Sequence, residues 1–318
     1  LFDMPALETA AALVHSVILP TPQHEWPLLA ERTGAQVFVK HENHTATGAF
    51  KLRGGLVYVD RLLLSARPRG LVSATRGNHG QSLGFAGRRA GLSVTIVVPR
   101  KNSVEKNAAM RAFGAELIES GDDFDAARET AIALAEARGL HMVPAFHADL
   151  VRGVATYALE FLTAVRGLDC VYVPIGQGSG ICGLIIVRDL LALETEIVGV
   201  VSSEADAYAQ SFAAGRLVTT ASADTIADGM ACRVPDTRAL EVIRRGAARI
   251  VRVSDMEIAA AVRAYHEDTH NLAEGAGAAP LAALLQERER QKGRRVGLVL
   301  TGANIDRRLA ARILAGEC

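Results

Sequence analysis

Two stretches of this 318-residue chain carry residue types whose spacing suits chemistry. The first is His41-Glu-Asn-His-Thr-Ala-Thr-Gly-Ala-Phe-Lys51-Leu-Arg-Gly-Gly55, where a lysine follows a turn of small residues and opens a helical pattern. A lysine at a helix start opposes the positive end of the dipole, which favours its neutral form, and a neutral amine is a nucleophile toward aldehydes. The second is the apolar run Cys170-Val-Tyr-Val-Pro-Ile175, then Gly176-Gln-Gly-Ser-Gly-Ile-Cys-Gly183, then a helical run that begins with Leu184 to Val187. Glycines let successive backbone N–H groups approach a phosphate, and the helix that follows adds its positive end. No Gly-Lys-Ser/Thr follows, so this is not a Walker loop. Gly178, Gly180 and Gly183 satisfy G-x-G-x-x-G, with Glu204 about twenty residues beyond. On this segment alone a phosphate cup, a nicotinamide dinucleotide site and a tight structural turn all stay open.

The elements that must position these residues alternate along nearly the whole chain. Apolar β-rich runs predict strands at Gln36 to Lys40, Leu71 to Thr75, Ser93 to Val98, Glu116 to Glu119, Met142 to Phe146, Cys170 to Ile175, Glu196 to Val201, Arg249 to Val253 and Arg295 to Leu300. Between them lie amphipathic segments. In Asp122 to Gly139, Phe124, Ala127, Ala131 and Leu134 share one face of a helix entered through acidic residues and ended by glycine. Short strands separated by helices imply right-handed crossovers, hence an α/β fold with open, mainly parallel sheets covered on both faces. The length suggests about two domains. With no repeat or long linker, the second is expected as an insertion, at residues 63–147, within a larger domain of 1–62 and 148–318.

Composition excludes several classes. The 35 basic and 35 acidic residues cancel, with no basic block, so neither nucleic acid nor a membrane surface is an expected partner. The run Leu184 to Val187 is cut by Arg188 and Asp189, far short of the ~20 residues a spanning helix needs. Leu1 to Pro5 lack a basic leader region, and the chain is expected to be cytoplasmic. Cys170, Cys182, Cys232 and Cys318 form no Cys-x-x-Cys pair and are expected as small core residues. His266-Glu-Asp-Thr-His270 matches H-E-x-x-H, but no third ligand follows at a familiar spacing, and a solvated helix face is expected. Asn43-His-Thr45 is a glycosylation sequon only in a secreted chain.

In combination the motifs are recognisable. Thr47-Gly-Ala-Phe-Lys-Leu-Arg-Gly54 resembles the lysine motif of the fold-type II pyridoxal-phosphate enzymes, in the threonine and serine dehydratase and serine racemase family. Ser73-Ala-Thr-Arg-Gly-Asn-His-Gly-Gln81 resembles that family's asparagine loop, Gly176 to Gly180 its phosphate loop, and Leu300-Thr-Gly-Ala-Asn-Ile-Asp306 its C-terminal Ser-Gly-Gly-Asn segment. The likeness covers essentially the entire chain. It implies a tryptophan synthase β-like fold, pyridoxal 5'-phosphate as cofactor, a small amino acid as substrate and a homodimer.

Residue by residue, the resemblance makes Lys51 the cofactor's covalent anchor and the base at the substrate Cα, with Phe50 beside it. It puts Asn78 on the cofactor's 3-oxygen and Thr75, Asn78 and His79 at the substrate carboxylate. Gly176, Gln177, Gly178, Ser179 and Gly180 form the phosphate cup, where Gln177 and Ser179 replace glycines and add side-chain donors. Thr301 falls where a hydroxyl bonds the pyridine nitrogen, and Glu274 resembles an acidic residue near the ring, with Gly275 in place of a proline. Two departures limit the transfer. Arg76 stands where racemases carry a hydroxyl; an arginine is a poor proton carrier, which demotes racemisation, and it either pairs a second substrate carboxylate or faces solvent. Val201 and Ala207 stand where serine racemase has acidic metal ligands, so no such metal is expected.

The implied activity is an ammonia-lyase that converts a β-hydroxy-α-amino acid, L-threonine or L-serine by default, to its 2-oxo acid. The alternatives are a 3-hydroxyaspartate or phenylserine dehydratase, a racemase and a β-replacement synthase. A non-catalytic binder of the cofactor or an amino acid is the rival from another class, and Lys51 counts against it. The span after Asn304 is too short for a C-terminal effector domain, so feedback control through one is not expected.

Overall fold

The computed structural model describes residues 1–122 and 124–318, Asp125 without its side chain. Its strands are β1 (Gln23–Glu25), β2 (Gln36–His41), β3 (Leu71–Ala74), β4 (Val94–Val98), β5 (Ala115–Glu119), β6 (His141–Met142), β7 (Cys170–Pro174), β8 (Glu196–Ser202), β9 (Ala247–Val253) and β10 (Arg295–Leu300). Each expected apolar run has become a strand, β2 to β10. Two differ from the sequence reading. β6 stops at Met142 instead of reaching Phe146: Val143 donates one more bond to Val72, and Pro144 has no N–H to continue the ladder. β1 has no apolar signal at all, and forms because its backbone pairs antiparallel with β2.

By packing, the chain divides into two units, Leu1–Ile18 with Thr45–Val154 and Leu19–His44 with Ala155–Cys318. The first holds a four-stranded parallel sheet in the order β5-β4-β3-β6. Alternate side chains leave opposite faces of each strand. Val72, Ala74 and Val97 meet Ala127 and Ala131 of the helix Phe124–Arg138, with Phe124 and Leu134 packed alongside, which is the face expected from spacing. The acidic entry expected at Asp123 lies outside the described residues. Leu71, Ile96 and Val98 on the other face meet Leu52, Leu83 and Met110. Leu52 lies on the helix Lys51–Ser65 and Leu83 on the helix Asn78–Arg89. These two helices touch closely: a Cβ on Gly55 would lie 2.2 Å from Ser82 Oγ, the same hydroxyl that donates to the Lys51 carbonyl at 2.6 Å.

The second unit holds a six-stranded sheet in the order β1-β2-β10-β7-β8-β9, parallel from β2 onward. Val37, Val39, Tyr172, Val198 and Leu298 pack on the helices Asp255–Thr269 and Gly275–Gln286. The helix Ser179–Leu190 packs against β7 and β8. Cys170, Cys182 and Cys232 are buried as expected, whereas Cys318 is half-buried, near the chain end and against the core rather than in it. Among the described residues no helix is long and apolar enough to cross a membrane.

Candidate active site

In open parallel sheets, ligands bind outside the carboxyl ends of strands where the strand order reverses. In the first unit the chain runs from β3 to β4 to β5 on one side, then returns to β6 on the other. The reversal flanks β3, and the loop that leaves its carboxyl end is Thr75-Arg-Gly77, followed at once by the helix Asn78–Arg89. Thr75 is buried, and its hydroxyl accepts the Gly77 N–H at 3.2 Å, which closes the loop on itself. Asn102 donates its side-chain amide to the Arg76 carbonyl at 3.1 Å and holds the loop from outside. Arg76 itself is exposed. Asn78 and His79 form the first turn of the helix, which has no side-chain cap, so its positive end is available to an anion.

Lys51 is the first residue of its own helix, with Nζ 4.9 Å from the centroid of the Phe50 ring. The turn that delivers it is tied by Thr45, whose hydroxyl donates to the Ala49 carbonyl at 2.8 Å and accepts the Ala49 N–H at 3.0 Å. Lys51 and His79 are close enough to interact: burial first, and the Lys51 charge second, hold the His79 pKa down at about 3. His79 Nε2 is buried with no hydrogen-bond partner among the described residues. Such an orphan costs about 1–3 kcal/mol unless a bound group satisfies it. A neutral imidazole beside a lysine and a helix N-terminus fits a site for an aldehyde cofactor and a carboxylate substrate.

These histidines set an acid limit on stability. His41, buried at the end of β2 where its Nε2 accepts from Trp26 at 3.0 Å, is also held at about 3, chiefly by burial. Both folded values lie below the ordinary 6.5, so between about 6.5 and 3 the unfolded chain binds protons that the folded chain refuses. The stabilisation is complete above that window and is lost as the pH falls through it. Urea-unfolding midpoints should drop between about pH 7 and about pH 5; a flat profile would contradict the burial of these neutral rings.

In the second unit the chain steps from β7 to β8 to β9 and returns to β10 on the far side of β7. The reversal lies between β7 and β10, whose carboxyl ends carry the glycine loop and Thr301 respectively. Gly178 has a φ of 94°, and a Cβ there would lie 2.8 Å from the Cβ of Ala239. A Cβ on Gly176 would lie 2.2 Å from the Gly229 carbonyl oxygen. Both positions accept glycine alone, and the bare backbone they leave at the start of the helix Ser179–Leu190 fits a phosphate. Ser179 and Gly180 are buried in that first turn, and the Gly180 carbonyl accepts from Tyr157 at 3.0 Å. The side-chain amide of Gln177 donates one hydrogen bond to Cys232 Sγ at 3.4 Å, which leaves its second N–H for the cup. Thr301 is buried, and the Glu274 N–H donates to the neighbouring Gly302 carbonyl at 3.0 Å, which places the Glu274 segment against the Thr301 segment.

The H-E-x-x-H segment has its carboxylates engaged elsewhere: Glu267 and Asp268 pair with Arg32 at 2.9 and 2.6 Å. Among the described residues no group of three His, Cys, Asp or Glu side chains is placed to hold a metal ion. Sequence reasoning missed Asn102 and Tyr208, whose hydroxyl donates to the Gln177 carbonyl. Neither lies in a motif, and no local pattern marks a side chain whose partner is a distant backbone carbonyl.

Known proteins resemble this chain over most of its length. A family model described as pyridoxal-phosphate dependent enzyme matches residues 14–302. An L-threonine ammonia-lyase of Thermotoga maritima is 33% identical over 90% of this chain and 72% of its own length. An L-threo-3-hydroxyaspartate ammonia-lyase of a Pseudomonas species is 31% identical over 93% of both chains. The solved structure of the processed threonine deaminase isoform 2 from Solanum lycopersicum superposes with a TM-score of 0.90 at 27% identity, over 99% of this chain and 95% of that one.

Proposed function

Because the chain belongs to the pyridoxal-phosphate dependent enzymes, as a lyase of the threonine and serine dehydratase family, we propose that it converts L-threonine or L-serine to the 2-oxo acid and ammonia. The observation that carries the proposal is a neutral, buried His79, its Nε2 without a hydrogen-bond partner among the described residues, near Lys51 and in the first turn of a helix with no side-chain cap. Lys51 holds the cofactor through its amine, with Phe50 alongside. When bound, the cofactor supplies an electron sink for the charge left on the substrate Cα. Lys51 Nζ would also be the base that takes the proton from the substrate Cα. Thr75, Asn78 and His79 bind and orient the substrate carboxylate, and Asn78 also reaches the cofactor's 3-oxygen. The backbone of Gly176, Gln177, Gly178, Ser179 and Gly180 binds the phosphate. Thr301 would offer the pyridine nitrogen a neutral hydroxyl, which leaves that nitrogen less firmly protonated than a carboxylate would and so suits elimination. Overall, the substrate loses its Cα proton and β-hydroxyl as water, one water is then taken up at Cα, and ammonia departs.

Division by role, as distinct from packing, belongs to the same proposal: residues 1–62 and 148–318 hold the cofactor and residues 63–147 the substrate loop as an insert, whereas packing groups Lys51 with that loop in the unit Leu1–Ile18 with Thr45–Val154. A cytoplasmic homodimer belongs to it too. The test is a panel of β-hydroxy amino acids scored for 2-oxo acid and ammonia, with turnover of L-threonine or L-serine the expected result and inertness toward both the contrary one.

Arg76 supports a second substrate class. Its exposed side chain leaves a loop at the carboxyl end of β3, and a relative of nearly the same length acts on 3-hydroxyaspartate. If Arg76 pairs a second carboxylate, Arg76→Ala lowers kcat/KM for 3-hydroxyaspartate about ten- to a hundredfold more than for threonine, the worth of one charged hydrogen-bonded contact. Equal losses on both substrates exclude that role.

A further inference from the structure

We propose that Tyr208 is a positioning residue that aims the backbone of the loop Gly176–Gly180 at the phosphate. The inference rests on the assignment of that loop to the cofactor. Tyr208 lies on the helix Ala207–Ala214, just after β8, and is 1% exposed. Its hydroxyl donates to the Gln177 carbonyl at 3.1 Å and accepts the Asp236 N–H at 3.1 Å. Asp236 in turn caps the helix Thr237–Gly246, its carboxylate accepting from the N–H groups of Arg238 and Ala239 at 2.9 and 3.2 Å. Ala239 is the residue that a Cβ on Gly178 would strike, and Tyr208 Oη would lie 3.3 Å from the same atom. One phenol therefore ties the glycine loop to the start of a second, capped helix.

The consequence follows from peptide geometry. In a trans peptide the carbonyl and the N–H of one plane point in opposite directions. A Gln177 carbonyl turned toward Tyr208 sends the Gly178 N–H the other way. That N–H belongs to the residue whose positive φ and missing side chain shape the cup. Glycine leaves Gly178 freer to rotate than any other residue would be, so the phenol's bond to the Gln177 carbonyl helps to fix this peptide plane. Burial also pushes the phenol's pKa well above its ordinary value, so the hydroxyl stays a donor.

The role is specific to the phosphate end of the ligand, and that separates it from general support of the fold. The full chain, stripped of cofactor, is titrated with pyridoxal 5'-phosphate and with pyridoxal, which has the aldehyde but no phosphate. Uptake is followed by absorbance and by borohydride trapping at Lys51. Tyr208→Phe is expected to weaken pyridoxal 5'-phosphate about tenfold and to leave pyridoxal within about twofold. Equal weakening of the two, or none, overturns the inference. Should the variant not fold, hydrogen exchange on the wild-type chain decides: the Asp236 amide gains protection with pyridoxal 5'-phosphate and not with pyridoxal, and the same protection with either, or no gain, overturns it. A wild-type chain that takes up neither compound at Lys51 would instead remove the cofactor assignment itself, and this inference with it.

Discussion

Lys51→Ala is expected to lower turnover at least about a thousandfold and to abolish the borohydride-trapped pyridoxyl label that the wild-type chain acquires at this residue. Two losses combine. The variant has no amine to join the cofactor's aldehyde, and no base positioned at the substrate Cα, a contribution that by itself is worth about a hundred- to ten-thousandfold. The fold should survive. Lys51 opens its helix, where its charge opposes the dipole, and alanine is the best helix former. The contact that joins its helix to the helix Asn78–Arg89 runs from Ser82 to the Lys51 backbone carbonyl, which alanine retains. The denaturation midpoint of the apoprotein should therefore stay near that of the wild type. A variant that kept full turnover would eliminate the mechanism; one that lost turnover because it unfolded would show it in the midpoint.

Lys40→Met should cost about 3–5 kcal/mol of unfolding free energy, measured by urea titration. Lys40 is wholly buried and Glu160 is 7% exposed, with Nζ 2.6 Å from the carboxylate. The ammonium also donates to the Thr21 carbonyl at 2.7 Å and the Gln23 side chain at 3.2 Å. Methionine fills a similar volume but takes away the cation that faces a buried carboxylate, and the desolvation that the pair offset is then exposed as a net cost. Replacing both partners, as Lys40→Met with Glu160→Leu, should recover most of the loss, because an apolar pair of similar shape is often neutral. A loss under about 1 kcal/mol in the single variant would place this pair among the weak surface bridges. The site would feel the change: Lys40 is the residue before the last of β2, which pairs along its length with β10, and β10 delivers Thr301.

The two predictions probe different levels of information. Lys51 was legible because its neighbours in sequence announce it, with a small-residue turn before it and a helical run after it. Lys40 was not. An isolated lysine near the end of an apolar strand reads as a snorkelling edge residue, and its partner stands 120 positions away. The same contrast runs through the site. The glycine loop was visible as a glycine-rich turn between a strand and a helix, but the reason Gly176 and Gly178 must be glycine lies in Gly229 and Ala239, which reach them through the fold. The sequence shows Gln177 as a side-chain donor in that loop, but not that Cys232, 55 positions away, takes one of its amide N–H groups. The motif shows His79 in the loop that follows β3, whereas its depressed pKa depends on desolvation and on the nearby Lys51, neither of which spacing reports.

By itself the sequence determined the class of fold, the run of strands from β2 to β10, and the residue types at each motif, because periodicity and turn chemistry act over a few neighbouring residues. It also determined the buried face of Phe124, Ala127, Ala131 and Leu134, since a helix sets that face at a fixed angle per residue. Tertiary structure alone decided the strand orders that put the Thr75 and Gly176 loops at reversals of their sheets, the end of β6 at Met142, and the pairing of β1. It also decided which way the loop peptides face. Those outcomes depend on hydrogen bonds and desolvation between groups far apart along the chain, and only packing brings such groups within reach of each other.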